Sequence, residues 1–380
     1  MKIILLLLAL LSFRLQAQPA LPEINQFSNT FLKQIREKGK NTFCSPLGVS
    51  YVNAMLYAGA AGVTKSELET VMKFNGASFD QFNEFSKQIN EINTRKQVEI
   101  RIANGIWNRI ILKEDFRKII QEKFDSESFP LTNELPINRW AEEKTNGKIK
   151  NLLPSGSITP DVVTVLANAI YFKGDWLYKF DSLKTEKEWF YKEDGSKFKT
   201  ELMHLETNLA YQKTETYQML ELPYKGDELL MRIFLPVEKS SINEFLNSGA
   251  LLNSPYARIQ KVKVYLPKME LETNYDLIEP LQQMGLKSMF DNANFSRMAD
   301  MPLKVDKMLQ KAYLKVDEKG TEAAAVTVAT MMTTSAVAPV HVEVPVFRAD
   351  RPFVFAIVHK QTNTILFAGT MEDPAAMKGK

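Results

Sequence analysis

The side chains of this 380-residue chain that could do chemistry fall into two groups: scattered titratable and nucleophilic residues, and one long uncharged tract near the C-terminus. Only three histidines occur, His204, His341 and His359, and no two stand at metal-ligand spacing. Gly59 to Ser66 has the outline of a phosphate loop, but Thr64 stands where a glycine must precede Lys65 for the backbone to approach phosphate. Ser155-Gly156-Ser157 lacks the flanking glycines of a nucleophile elbow. No nucleophile, base and orienting group are grouped, so the chain reads as a non-enzyme without metal or cofactor.

The uncharged tract offers a different chemistry. From Thr321 to Thr334 there is neither Gly nor Pro, so every residue can extend and every backbone N–H can join a sheet ladder. The alternating set Thr321, Ala323, Ala325, Thr327, Ala329, Met331 and Thr333 carries no charge, and only Met331 is large. One face of such a strand could enter a packed sheet without burying an ion. Composition alone favours a mobile linker or a helix segment over such a strand, and the surrounding sequence reverses that order. From Met331 to Ala336 the tract stays uncharged and β-capable, free of proline until Pro339.

The elements that must position this tract are legible in outline. Helical spacing predicts helices over Asn25 to Lys38, Ser50 to Ala60, Lys65 to Met72, Phe79 to Ile92, Asp115 to Lys123 and Ile137 to Thr145. Short β-branched or aromatic runs predict strands over Val162 to Phe172, Tyr217 to Pro223, Leu229 to Leu235, Val262 to Pro267, Val340 to Val346, Phe353 to Val358 and Ile365 to Ala368. Lys225-Gly226-Asp227 suggests a hairpin between two of them. The class is α+β, with helices dominating the first half.

Composition narrows the function further. The 48 basic and 45 acidic residues leave a net charge of +3, which points to neither nucleic acid nor a membrane surface. Arg95, Lys96 and Arg101 are interrupted by Glu99 and read as a solvated face. Cys44 is the only cysteine, so no internal disulfide can form and stability must come from packing. Met1-Lys2, the apolar run Ile3 to Leu11 and the small residue Ala17 have the order of a secretory signal, too short for a membrane span. The expectation is an exported, extracellular or periplasmic protein, with residues 1–17 removed and 18–380 forming one domain.

Two segments then carry a family resemblance. Glu318, Lys319, Gly320, Thr321, Glu322, Ala323, Ala324 and Ala325 resemble the hinge of the serpins, and Phe347-Arg348-Ala349-Asp350-Arg351-Pro352-Phe353 resembles their C-terminal signature. Asn41 to Leu47 is similar to the family's early buried strand and helix start, and Leu166 to Trp176 to its central-sheet strand with the following tryptophan. The resemblance implies the serpin fold: three β-sheets, about eight or nine helices and an exposed reactive-site loop. It implies a monomer that acts as a suicide substrate, whose hinge enters the central sheet once a protease has attacked the loop.

Further site residues follow from the resemblance alone. A polar latch under the central strands maps onto Ser45, Asn168 and Gln310, with Trp176 near the point of insertion. Many relatives carry a histidine where Gln310 stands and a second serine where Gly48 stands, so no imidazole titrates there. The family's hinge length counted from Glu318 puts the scissile bond between Thr334 and Ser335, with Met331, Met332 and Thr333 as alternatives. No Lys or Arg lies between Lys319 and Arg348, which disfavours trypsin-like enzymes. The expected partners are elastase-like or subtilisin-like serine proteases, with papain-like cysteine proteases as a cross-class alternative. A non-inhibitory serpin, acting as ligand carrier, storage protein or chaperone, is the rival reading.

Overall fold

A computed structural model describes residues 21–238, 240–252, 257–321 and 343–375. The chain begins with α1 (Pro22–Ile35), β1 (Thr42–Cys44), α2 (Pro46–Gly59), α3 (Gly62–Met72) and α4 (Ser78–Thr94). There follow β2 (Val98–Asn108), α5 (Glu114–Phe124), β3 (Glu127–Pro130), α6 (Glu134–Lys144) and β4 (Thr164–Asp175). The middle of the chain is mostly strand: β5 (Asp181–Tyr191), β6 (Lys197–Lys213), β7 (Tyr217–Pro223), β8 (Leu229–Pro236), α7 (Ile242–Asn247), β9 (Arg258–Pro267) and β10 (Met269–Asp276). Last come α8 (Ile278–Gln283), β11 (Lys307–Val316), β12 (Gly320–Thr321), β13 (Val346–Arg348), β14 (Phe353–His359) and β15 (Thr364–Met371).

All six predicted helices form, with ends displaced by up to four residues. The fold is the expected α+β arrangement. Ser45 and Pro46 start α2 because the serine hydroxyl accepts the Gly48 N–H and proline sits at N1, where its missing donor is not needed. In α4, Phe82, Phe85, Ile89 and Ile92 recur at helical spacing and are buried. The predicted hairpin forms, since β7 and β8 pair antiparallel on either side of Lys225-Gly226-Asp227.

Hydrogen bonding joins the described strands into two networks, ordered β1-β15-β14-β8-β7-β6-β9-β13 with β5 on β6, and β10-β11-β12-β4-β2-β3. The larger is continuous because the 17-residue β6 changes partners, with β5 beside its first part as far as His204, β7 beside its end from Ala210, and β9 beside Leu202 to Tyr211. It therefore has two parts sharing one strand, which with the smaller network gives the three-sheet architecture.

The smaller network contains the centre of the molecule. Every residue of β4 from Thr164 to Phe172 is buried, because the sheet is covered on both faces. Leu166, Ile170 and Phe172 join the main core beneath α2, whereas Val165, Ala167 and Ala169 join a second core with Trp107, Ile137 and Trp140 on the α6 side. The alternation follows from the two-residue period of a strand.

Strand β2, at Val98–Asn108, lies in the half of the sequence where helices dominate and pairs along all eleven residues with β4. Of the predicted strand from Val340 to Val346, residues 340–342 lie outside the described residues; pairing begins only at Val346, in β13.

Candidate functional site

The site is a seam in the smaller sheet. Strands β4 and β11 pair in parallel from Val165 and Lys307 to Tyr171 and Tyr313. Above that pairing β12 sits between them, antiparallel to both: Thr321 is opposite Val316 on β11 and Gly174 on β4, and Gly320 is opposite Asp175. Gly320 fits because a Cβ there would stand 2.2 Å from the Gly174 carbonyl oxygen. Thr321 is fully buried, with its hydroxyl 2.8 Å from the Tyr224 hydroxyl. Burial pushes the Tyr224 phenol far up, so this pair is neutral.

Trp176 stacks on Tyr224 with ring centroids 4.6 Å apart and donates its indole N–H to the Asp317 carbonyl at 3.0 Å. Its backbone N–H donates to the Lys319 carbonyl at 2.9 Å. Glu318 is held from two sides, accepting from Thr185 Oγ1 at 2.8 Å and pairing with Lys268 Nζ at 2.9 Å. Partial burial opposes ionisation of Glu318, but the Lys268 bond, a backbone N–H and Thr185 outweigh it and hold the carboxyl below its ordinary value. The turn Asp317 to Gly320 is thus clamped where β12 begins.

Lower in the seam lies a buried polar chain. Gln310 Nε2 donates to Asn168 Oδ1 at 2.8 Å and to the Ser45 carbonyl at 2.9 Å, and Gln310 Oε1 accepts the Ser45 N–H at 2.9 Å. Asn168 Nδ2 donates to Asn104 Oδ1 at 2.7 Å, and Ser45 Oγ to the Leu366 carbonyl at 2.7 Å. The chain crosses β2, β4 and β11 and ends on the helix start of α2. Gly48 permits the close packing, because a Cβ there would stand 2.4 Å from Asn168 Oδ1. A serine at that position would collide with the amide in this arrangement.

The structure brings Ser45, Asn168 and Gln310 together and places Trp176 apart from them, beside Glu318, Gly320 and Thr321. The hinge residues Glu322, Ala323, Ala324 and Ala325 lie outside the described residues, as do Met331, Met332, Thr333, Thr334, Ser335 and His341. Sequence reasoning missed Asn104, Thr185, Tyr224 and Lys268. Tyr224 immediately precedes the predicted hairpin, so its place at a strand end was open to inference; its partner nearly a hundred residues away was not. Of the basic group, Arg95 pairs with Glu91 and Glu228 and Arg101 with Glu99, as a solvated face should. Among the described residues no cluster of ligating side chains could hold a metal, and no helix is long and apolar enough to cross a membrane.

The latch has no titrating member, so pH response near neutrality falls to other groups. His359 is buried, bonded to Thr362 at 2.8 Å and packed on Phe85, and burial lowers its pKa. As pH falls below the ordinary histidine value of about 6.5, the unfolded chain takes up a proton that the folded chain refuses. Stability from this group is present at neutral pH and declines below that value. Melting curves at pH 7.5 and pH 5.5 for the parent and His359→Gln test this: the loss on acidification should be smaller in the variant. Equal losses would clear His359 of the role.

The family described as serpin (serine protease inhibitor) matches residues 22–374. Serpin B6 of Pongo abelii is 35% identical over 92% of this chain and 97% of its own length. An uncharacterized serpin-like protein of Methanosarcina acetivorans is 32% identical over 92% of this chain and 87% of its own. Among solved structures, Serpin48 of Tenebrio molitor superposes with a TM-score of 0.82 at 27% identity, covering 93% of this chain and 97% of its own. Thyroxine-binding globulin in complex with thyroxine superposes with a TM-score of 0.79 at 26% identity, covering 93% and 99%. With the split seam, the clamped turn and the buried amide chain in place along its length, the chain belongs to the serpin family.

Proposed function

We propose that this protein is a secreted suicide-substrate inhibitor of serine proteases with small-to-medium apolar preference. The observation that carries the reading is the wedge formed by β12. Continuing its register antiparallel to both neighbours would set Ala323 between Phe172 and Leu314, Ala325 between Ile170 and Ala312, and Thr327 between Asn168 and Gln310. These residues would share the inward face with Thr321, and each is small and uncharged. A strand of that composition can replace the β4–β11 pairing without burying an ion. Strand addition and release of stored strain are known serpin devices, which the handling of a trapped acyl-enzyme would use here.

The family's hinge length counted from Glu318 would put the reactive bond between Thr334 and Ser335, with Met331, Met332 and Thr333 as alternatives. Export rests on the apolar run after Met1-Lys2. A carrier reading draws on the likeness to thyroxine-binding globulin, which is complexed with thyroxine. The uncharged inward set favours inhibition.

Mixing the protein with a panel of elastase-like, subtilisin-like, papain-like and trypsin-like enzymes separates the readings. An inhibitor should give complexes that survive denaturing electrophoresis with the elastase-like or subtilisin-like members and not with trypsin-like ones. The released C-terminal peptide should begin at Ser335. A start at Met332, Thr333, Thr334 or Ala336 would move the bond within the same reading. Cleavage without any stable complex would support the carrier.

A further inference from the structure

The hairpin of β5 and β6 has one face turned in and one turned out. Inward, Phe190, Thr200 and Leu202 are buried. Outward, Lys187 is opposite Glu201, Trp189 opposite Lys199 and Tyr191 opposite Lys197, and all six are exposed. Solvent-facing strand positions ordinarily carry polar side chains, yet Trp189 is 42% and Tyr191 48% exposed. The ammonium groups of Lys197 and Lys199 lie 4.6 and 5.5 Å from the Trp189 ring centroid. Among the described residues neither lysine pairs with a carboxylate, so the face carries an aromatic platform with net positive charge.

Its place in the fold gives this face a meaning. At one end of β5, Phe180 N–H donates to the Glu318 carbonyl at 2.9 Å and Thr185 bonds the Glu318 carboxylate. At the other end, Tyr191 N–H donates to the Asp350 carbonyl at 2.8 Å and Glu188 pairs with Arg348. The strand is therefore tied to residues that flank the proposed reactive segment in sequence, Glu318 before it and Arg348 and Asp350 after it. An enzyme engaging that segment is tethered between these two points.

We propose that the outward face of the β5–β6 hairpin is a second docking surface for the attacking protease. It takes an acidic patch of that enzyme against Lys197 and Lys199, with Trp189 as the anchor that becomes buried. This deepens the inhibitory reading and rests on it. Steering by complementary charge raises the rate of encounter, and tryptophan at the centre of a patch is the residue type most often found to dominate binding. A second contact beside a tethered first one also acts at high effective concentration.

The test uses two subtilisins of the trapped class, one anionic and one cationic, in low salt. The parent should trap the anionic enzyme faster, and the double variant Lys197→Glu, Lys199→Glu should lower that rate about tenfold while speeding the cationic enzyme. Stoichiometry and melting temperature should not change, because all substituted positions are exposed. Trp189→Ala should weaken the non-covalent complex with a serine-to-alanine anionic subtilisin about tenfold. Normal trapping with unchanged rates in both variants would overturn the docking surface and leave the inhibitory reading intact. Failure of the parent to trap either subtilisin or any elastase-like enzyme would overturn both.

Discussion

Thr321→Arg is expected to turn the inhibitor into a substrate. In the native fold Thr321 is fully buried between β4 and β11 with its hydroxyl on Tyr224, so an arginine there must either leave the sheet or bury an unpaired charge. Such a charge costs several kcal/mol, which in an activation barrier is about a thousandfold or more in rate. Insertion then loses its race with deacylation, and protease is released active with the loop cut. The readout is the number of inhibitor molecules consumed per protease trapped, which should rise steeply. Ala325→Arg separates failed insertion from a damaged native fold, because its place in the continued register is reached only during insertion. If both variants trap with parental stoichiometry, the loop does not act by entering this seam.

Cleaving the loop without trapping is expected to raise the melting temperature. A protease that cuts between Ala329 and Thr334 and then dissociates frees the strand begun by β12 to continue down the seam. Its backbone groups would then pair on both sides, and its small inward residues would fill the space under α2. A gain of several kcal/mol moves the midpoint of a large domain by roughly ten degrees or more, whereas an ordinary backbone nick lowers it or leaves it unchanged. Calorimetry of intact and cleaved protein decides the matter. Equal midpoints would favour the carrier reading, in which the loop stays outside after cleavage.

Much of the fold was legible where periodicity and capping agree. Ser45-Pro46 before an apolar run, and Phe82, Phe85, Ile89 and Ile92 at helical spacing, are local signals. Strand β11 gave no such signal, because Lys307, Lys311 and Lys315 stand four residues apart as on a helix face. Tertiary contacts override that pattern: Lys311 is buried, yet its ammonium donates to the Lys150 carbonyl at 2.7 Å and pairs with Glu272 at 2.9 Å. Strand β2 did alternate, with Val98, Ile100 and Ile102 between Glu99 and Arg101, and a reading of its charges alone hides that period.

The latch residues came from family resemblance, and their chemistry came only from the fold. Nothing local connects Asn104 to Asn168 or Gln310 to Ser45; register across four elements does. The same holds for Thr321, which the sequence places in the hinge that enters the sheet after attack. It is already inside the sheet, so a substitution there bears on the native state as well as on the reaction.

The register of the seam has a kinetic consequence. Val316 and Gly174 flank β12 with the same offset along the strands that relates Lys307 to Val165 where β4 and β11 touch directly. Opening therefore needs sideways parting by about one strand spacing, roughly 4.8 Å, and no sliding of one strand past the other. No side chain has to change faces, and the gap can advance row by row from the wedge as a crack runs along a cleavage plane. The Gln310–Asn168 bond lies at the middle of the seven directly paired rows. In the proposed insertion the gap would reach that amide only after the rows of Tyr313, Ala312 and Lys311 had parted, so breaking this buried bond would help to set the pace of the stroke.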